Sequence, residues 1–256
     1  MQLACLAPPS RFDYPSAIQR VLDAQLSDQP EMERFAPHQG VLPAQTDYDL
    51  VILAGSQAHV TDPEPWFGPL ADYVERTLAA GTPLLGVCFG HQFLADLLGG
   101  TVEPLPGQRT GVSTIERTAA SDAHPMFAGL PRSFESFVYH GDHVASAPPK
   151  ATVLARDDSG IQAFAATDRP VLGIQFHPEF TAAMAARTDA GTAVPALEDR
   201  LAASRTLYAT ALADGLTAGA STDRGSESGA TDETAESRGQ SERASGKPGG
   251  VRAGGR

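Results

Sequence analysis

Pro83-Leu84-Leu85-Gly86-Val87-Cys88-Phe89-Gly90-His91-Gln92 carries more structural meaning than any other ten residues of this 256-residue chain. An apolar run climbs to a cysteine held between two glycines, and a helix-like run, Phe93 to Leu98, follows. This is the layout of a nucleophile elbow, in which a reactive side chain sits on a tight strand-to-helix turn. The residues around it must be small so that the backbone can fold back. The positive end of the following helix lies beside the sulfur and favours thiolate, the attacking form.

Working outward, Leu3–Ala7 reads as a first strand and Pro15 to Leu26 as a helix with Ile18, Val21, Leu22 and Leu26 on one face. Asp49–Ala54 is a continuous apolar run ending at Gly55-Ser56, as expected of a parallel strand buried on both faces. Pro69 to Ala80 reads as a helix stopped by Gly81, and Leu84–Val87 as the next strand. Two strand–helix steps in a row predict an α/β fold with a mostly parallel, doubly wound sheet flanked by helices, a flavodoxin-like three-layer sandwich. Further on, Val112–Arg117, Ser133–His140, Thr152–Arg156, Ile161–Thr167 and Val171–Phe176 are short and strand-like. They suggest hairpins or a mixed region at one end of the sheet. A final helix is expected over Leu197 to Ala213, and Ala182–Pro195 is ambiguous.

A cysteine nucleophile needs a base, and the base needs an orienting group. Gln175-Phe176-His177-Pro178-Glu179 ends a strand-like run and supplies both. His177 can take and return a proton, and Glu179, held at a fixed offset by Pro178, can accept from the second ring nitrogen. An oxyanion needs backbone donors. The N–H of Phe89 is one candidate. Gly55 is the other, and its glycine equally suits an ordinary tight turn. Trp66, with Phe67, reads as packing on the helix that follows. Asp157-Asp158 before Ser159-Gly160 reads as a hairpin turn. His140 and His143 pair with no thiolate or carboxylate at ligand spacing, so no metal and no cofactor are expected.

Composition bounds the rest. The net charge is −12, and residues 1–214, with 25 acidic and 13 basic side chains, hold all of it. This excludes a basic nucleic-acid surface. Only Lys150 and Lys247 are lysines, against 17 arginines, a balance that suits a salt-adapted or GC-rich proteome. Residues 215–256 are rich in Gly, Ser, Glu and Arg and almost free of large apolar residues, and a disordered tail is expected there, after a folded domain over 1–214. No apolar run approaches membrane-spanning length, and no charged region precedes a long apolar core at the N-terminus. A cytoplasmic location without membrane contact is therefore expected. Cys5, in an apolar strand, reads as a core residue.

Gly86-Val87-Cys88-Phe89-Gly90-His91-Gln92 and Gln175–Glu179 resemble the signatures of class I glutamine amidotransferases. With Tyr139-His140-Gly141-Asp142-His143, the elbow is most similar to the glutaminase domain of GMP synthases. Leu53–Ser56 and Asp62–Trp66 are similar to stand-alone members, the GMP synthase-like amidotransferases or γ-glutamyl peptidases. The resemblance covers about residues 3–182. It implies a Cys88-His177-Glu179 triad, Gly55 and Phe89 at an oxyanion hole, and Gln92 against a glutamine substrate. It further implies that Tyr139, His140, Gly141 and Asp142 line the pocket for the substrate's α-amino and α-carboxyl groups.

The chemistry implied is hydrolysis of the γ-carboxamide of glutamine through a thioester. Neither a G-x-x-x-x-G-K-[ST] loop nor a Ser-Gly-Gly run before an Asp is present for a nucleotide-using step. Either a separate synthase subunit receives the ammonia, or the protein hydrolyses small γ-glutamyl peptides. A non-catalytic relative that keeps the fold is a third reading.

Overall fold

The apolar runs around the elbow are parallel strands of one sheet in the computed structural model, which describes residues 1–27, 29–188, 194 and 196–210. In chain order the first elements are β1 (Gln2–Leu6), α1 (Tyr14–Gln25), β2 (Glu31–Phe35), β3 (Leu50–Leu53), α2 (Phe67–Ala79), β4 (Leu84–Val87) and α3 (Phe89–Leu97). Then follow β5 (Thr101–Arg117), α4 (Pro125–Ala128), β6 (Ser133–Ser146), β7 (Ala151–Asp157), β8 (Gly160–Ala166) and β9 (Val171–Ile174). The short α5 (Ala182–Ala185) and α6 (Leu197–Arg200) precede α7 (Ala202–Thr210). The expected single helix over Leu197 to Ala213 is thus two, broken at Leu201, and its last residues lie outside the described ones, as does the expected tail 215–256.

Among the described residues the strand order is β2-β1-β3-β4-β9-β8-β6-β5-β7. The expectation of a mostly parallel sheet needs correction. Pairings from β2 through β9 are parallel, whereas those among β9, β8, β6, β5 and β7 are antiparallel. Because β7 also pairs with β8, the last four strands close a small barrel-like ring. The linkers explain the change of direction. Residues 147–150, 158–159 and 167–170 are far shorter than the dozen or more that a parallel crossover requires. β2 carries no sequence signal because Glu-Met-Glu-Arg-Phe is a half-exposed edge strand without an apolar run.

Every residue of β3, β4 and β9 is buried, and alternate side chains feed two separate cores. Leu3, Cys5, Leu50, Ile52, Leu85 and Val87 face α1 and α7, with Ile18, Leu22, Leu207 and Tyr208. Ala4, Leu6, Val51, Leu53 and Leu84 face α2 and α3, with Leu70, Val74, Phe89 and Leu94. The result is a three-layer α/β arrangement. Asp13 caps α1 by accepting from the Ser16 N–H at 3.1 Å. His91 ties α3 to the barrel by donating to the Ile161 carbonyl at 3.1 Å, and burial pushes its pKa down to about 3, so the ring is neutral.

α3 begins at Phe89, four residues before the helix-like run seen in the sequence. Gly90, which reads as a small neighbour of the cysteine, is a contact residue between α3 and β3. A Cβ there would lie 2.0 Å from the Leu53 carbonyl oxygen, and one at Gly86 would lie 2.5 Å from the Gly90 backbone. Gly90→Ala is therefore expected to lower stability by about 3 kcal/mol or more, the upper range for overpacking. Gly107→Ala, where a Cβ meets nothing within 4 Å, should stay within about 0.5 kcal/mol. Thermal or denaturant unfolding of the two variants checks the contrast.

Candidate active site

Three adjacent parallel strands, β3, β4 and β9, end at the same edge of the sheet, the edge where ligands bind in open α/β folds. Gly55 follows β3, Cys88 follows β4 and His177 follows β9. The Cys88 N–H donates to the Ile174 carbonyl at 2.8 Å, so the parallel ladder continues up to the cysteine itself. There the chain turns sharply. Cys88 has φ 53° and ψ −102°, a conformation that costs on the order of 1–3 kcal/mol for a residue with a side chain. Its Sγ lies 3.5 Å from the Tyr139 carbonyl oxygen. The first helical hydrogen bond of α3 runs from the Gln92 N–H to the Cys88 carbonyl at 3.0 Å, so the N–H groups of Phe89, Gly90 and His91 have no acceptor within the helix.

His177 is fully buried. Its N–H donates to the Phe137 carbonyl at 2.7 Å, an isolated bridge that pins the residue to β6. Nδ1 lies 2.7 Å from Glu179 Oε1, while Nε2 has no hydrogen-bond partner. Burial alone would penalise the imidazolium. Coulombic interaction with Glu179 and then with Cys88 outweighs it and raises the ring's pKa from 6.5 to about 10. Tyr14 stacks on the ring with centroids 5.2 Å apart and planes 6° from parallel, and Phe180 packs at 5.1 Å. A Cβ at Gly55 would sit 2.9 Å from the Tyr14 ring and 3.0 Å from His177 Cε1. The glycine thus has a steric reason in this ring stack.

The other sequence-predicted residues gather around the sulfur. A cavity of about 230 Å³ is lined by Ser56, His59, Cys88, Gln92, Tyr139, His140, Gly141 and Asp142, among others. Gln92 is buried, and its Nε2 donates to the Asp142 carbonyl at 2.8 Å and to Gln175 Oε1 at 3.0 Å. Its amide nitrogen is therefore committed within the protein. His140 Nδ1 lies 2.8 Å from the Asp142 carbonyl, and burial lowers the ring's pKa to about 4. The neutral ring donates through Nδ1 and leaves Nε2 as a buried acceptor without a protein partner. Asp142 is buried, with His59 Nδ1 at 3.0 Å and Thr61 Oγ1 at 3.4 Å. The Arg11 guanidinium donates to the Tyr139 hydroxyl and lies over the Tyr139 ring.

Phe89 starts α3 with its side chain in the second core, where Trp66 packs at 5.6 Å and Phe67 at 5.6 Å. Trp66 thus packs on α3 as well as on its own helix. Sequence reasoning misses Tyr14, His59 and Tyr208, whose hydroxyl donates to Glu179 Oε2 at 2.8 Å. Each reaches the site through tertiary packing and carries no local signal. Among the described residues no group of three or more His, Cys, Asp or Glu side chains is placed to hold a metal ion, and no helix is long and apolar enough to cross a membrane.

Comparison with known proteins shows the family of the chain. A model of the family "Glutamine amidotransferase class-I" matches residues 21–188. A GMP synthase [glutamine-hydrolyzing] of Thermomicrobium roseum is 41% identical over 129 residues, 50% of this chain but only 23% of that protein. A GMP synthase [glutamine-hydrolyzing] subunit of Sulfurisphaera tokodaii is 34% identical over 134 residues, 52% of this chain and 68% of that one. A gamma-glutamyl-L-1-hydroxyisopropylamide hydrolase of Pseudomonas is 30% identical over 141 residues, 52% of this chain and 48% of that one. The crystal structure of a glutamine amidotransferase from Thermotoga maritima superposes with a TM-score of 0.67 at 20% identity, over 87% of this chain and 99% of that one. By the family match over residues 21–188, the chain belongs to the class I glutamine amidotransferases.

Proposed function

We propose that the protein hydrolyses the γ-carboxamide of glutamine through a covalent intermediate on Cys88. The observation that carries this reading is the strained cysteine at the end of β4, beside a buried His177 that Glu179 holds through Nδ1. A histidine whose pKa is raised to about 10 is an imidazolium at neutral pH. It is thus ready to act as an acid toward a leaving nitrogen.

In this mechanism the Cys88 thiolate attacks the γ-carbonyl carbon. The oxyanion is met by backbone N–H groups, with Phe89 and Gly55 as the candidates. The C–N bond breaks as the His177 proton passes to nitrogen, and ammonia leaves. A water then attacks the γ-glutamyl thioester while neutral His177 takes its proton. Glutamate departs, and the thiolate–imidazolium pair is restored. The Asp142 carboxylate, the Nε2 acceptor of His140 and Oε1 of Gln92 offer acceptors for the substrate's α-ammonium group. Tyr139 and Gly141 form the adjacent wall. Both cysteines are free thiols, which suits a reducing cytoplasm.

Similarity to the Sulfurisphaera tokodaii protein, over two thirds of its length, supports an ammonia acceptor on a separate synthase chain. Similarity to the Pseudomonas hydrolase favours a second reading, hydrolysis of small γ-glutamyl amides without an acceptor.

Glutamate release from glutamine and from γ-glutamyl peptides, measured side by side, separates the two. Turnover of glutamine that rises on adding a synthase sinks the peptidase reading. Cys88→Ala is expected to abolish turnover of either substrate, and unchanged turnover would refute the thioester. The pH profile of kcat/KM offers a further check. A raised histidine pKa keeps the imidazolium below about pH 10 and loses it above, so the alkaline limb should fall near pH 10. The same ionisation stabilises the fold fully below pH 6.5, and that contribution declines as the pH climbs through about 10. A kcat/KM that rises through pH 6.5 to a plateau would instead mean that His177 starts as a neutral base.

A further inference from the structure

We propose that α7 is a strap that positions Glu179, with Tyr208 and Arg205 as positioning residues; this rests on the reading of Glu179 as the partner that orients His177. The helix lies wholly beyond residue 188, the last that the family model matches. It nevertheless reaches the centre of the site. The Tyr208 hydroxyl donates to Glu179 Oε2 at 2.8 Å, while Oε1 faces His177 Nδ1 at 2.7 Å. Both carboxylate oxygens are therefore held, and rotation of the carboxylate about its last bond would break two hydrogen bonds at once.

Arg205, one turn earlier, fixes the backbone on either side. Its Nε donates to the Pro178 carbonyl at 3.1 Å and its Nη2 to the Phe180 carbonyl at 3.0 Å. Its third nitrogen is paired with Glu198, which keeps the guanidinium plane in place. The planar fork spans the two carbonyls that flank Glu179, a geometry a lysine cannot reproduce. Tyr208 is fully buried, and burial together with the Glu179 charge raises its pKa well above 10, so it remains a donor at all working pH values. A cavity of about 290 Å³ between α1 and the C-terminal helices is lined by Arg20, Glu179, Glu198 and Arg205.

Tyr208→Phe removes the one oxygen and keeps the ring. Its kcat should fall roughly tenfold with KM unchanged, because a loosened orienting group misplaces the base without touching substrate. The downfield proton resonance of His177 Nδ1–H should shift and broaden in the same variant, while Thr206→Ala on the exposed face leaves it as in the wild type. Arg205→Gln should move both readouts in the same direction, and it carries the test if Tyr208→Phe fails to fold by thermal unfolding. The resonance reports the Glu179–His177 bond in the substrate-free protein, so it is informative even if no turnover of glutamine is found. A folded Tyr208→Phe with a wild-type resonance and a wild-type kcat overturns the proposal.

Discussion

The approach of α3 to β3 is the constraint on which the site depends. At Gly90 the helix comes so close to the Leu53 carbonyl that no side-chain carbon fits between them. That contact dictates how steeply the chain must turn at Cys88, hence the positive φ of the cysteine. It also sets the sulfur above the carboxyl end of β4 rather than inside the second core. Once β4 is fixed, the parallel ladder with β9, in which Val87 faces Ile174, determines where the chain leaves for His177. The cysteine and the histidine are 89 positions apart in the chain, yet their spacing in three dimensions follows from strand register.

Burying Glu179 and His177 beside each other would be unfavourable without compensation, since each loses its hydration. The compensation is local and complete on the acid: one oxygen faces imidazole and the other a tyrosine hydroxyl. On the histidine it is incomplete. Nε2 alone is left without a hydrogen-bond partner, on the ring whose proton affinity Cys88 raises. Tyr14 and Phe180 close the faces of the ring and exclude water. The ring is thus asymmetric, with Nδ1 held by the carboxylate and Nε2 left as the nitrogen open to chemistry.

The elbow and the His-Pro-Glu turn are legible in the sequence because each is short, local and built from residue types with few other uses at a strand end. Gly86 and Gly90 read as small neighbours of the cysteine, and the contacts they make give that pattern its cause. The direction of the later strands is only partly legible: their short, closely spaced runs suggest hairpins or a mixed region, but not that antiparallel pairings equal or exceed the parallel ones. Hairpin runs and parallel runs look alike when both are buried, and only the shortness of 158–159 and 167–170 separates them. β5 reads as a strand only from Val112 because Pro104, Pro106 and Gly107 obscure its first half, where the register with β6 slips. Tyr14 and Tyr208 are out of reach for a different reason. Neither lies beside a motif, and each meets the site only after a helix has packed against the first core.

The placement of the second cysteine has a practical corollary. Cys5 lies in the middle of β1 with no exposed surface, and burial pushes its thiol up to about 12. At neutral pH it is protonated and shielded, so it is inert toward alkylating reagents that need a thiolate. With only two cysteines in the chain, covalent labelling of the folded protein counts Cys88 alone. An unfolded chain offers both sulfurs, so a second label per chain, on the sulfur buried in β1, marks the molecules in a preparation that are not correctly assembled.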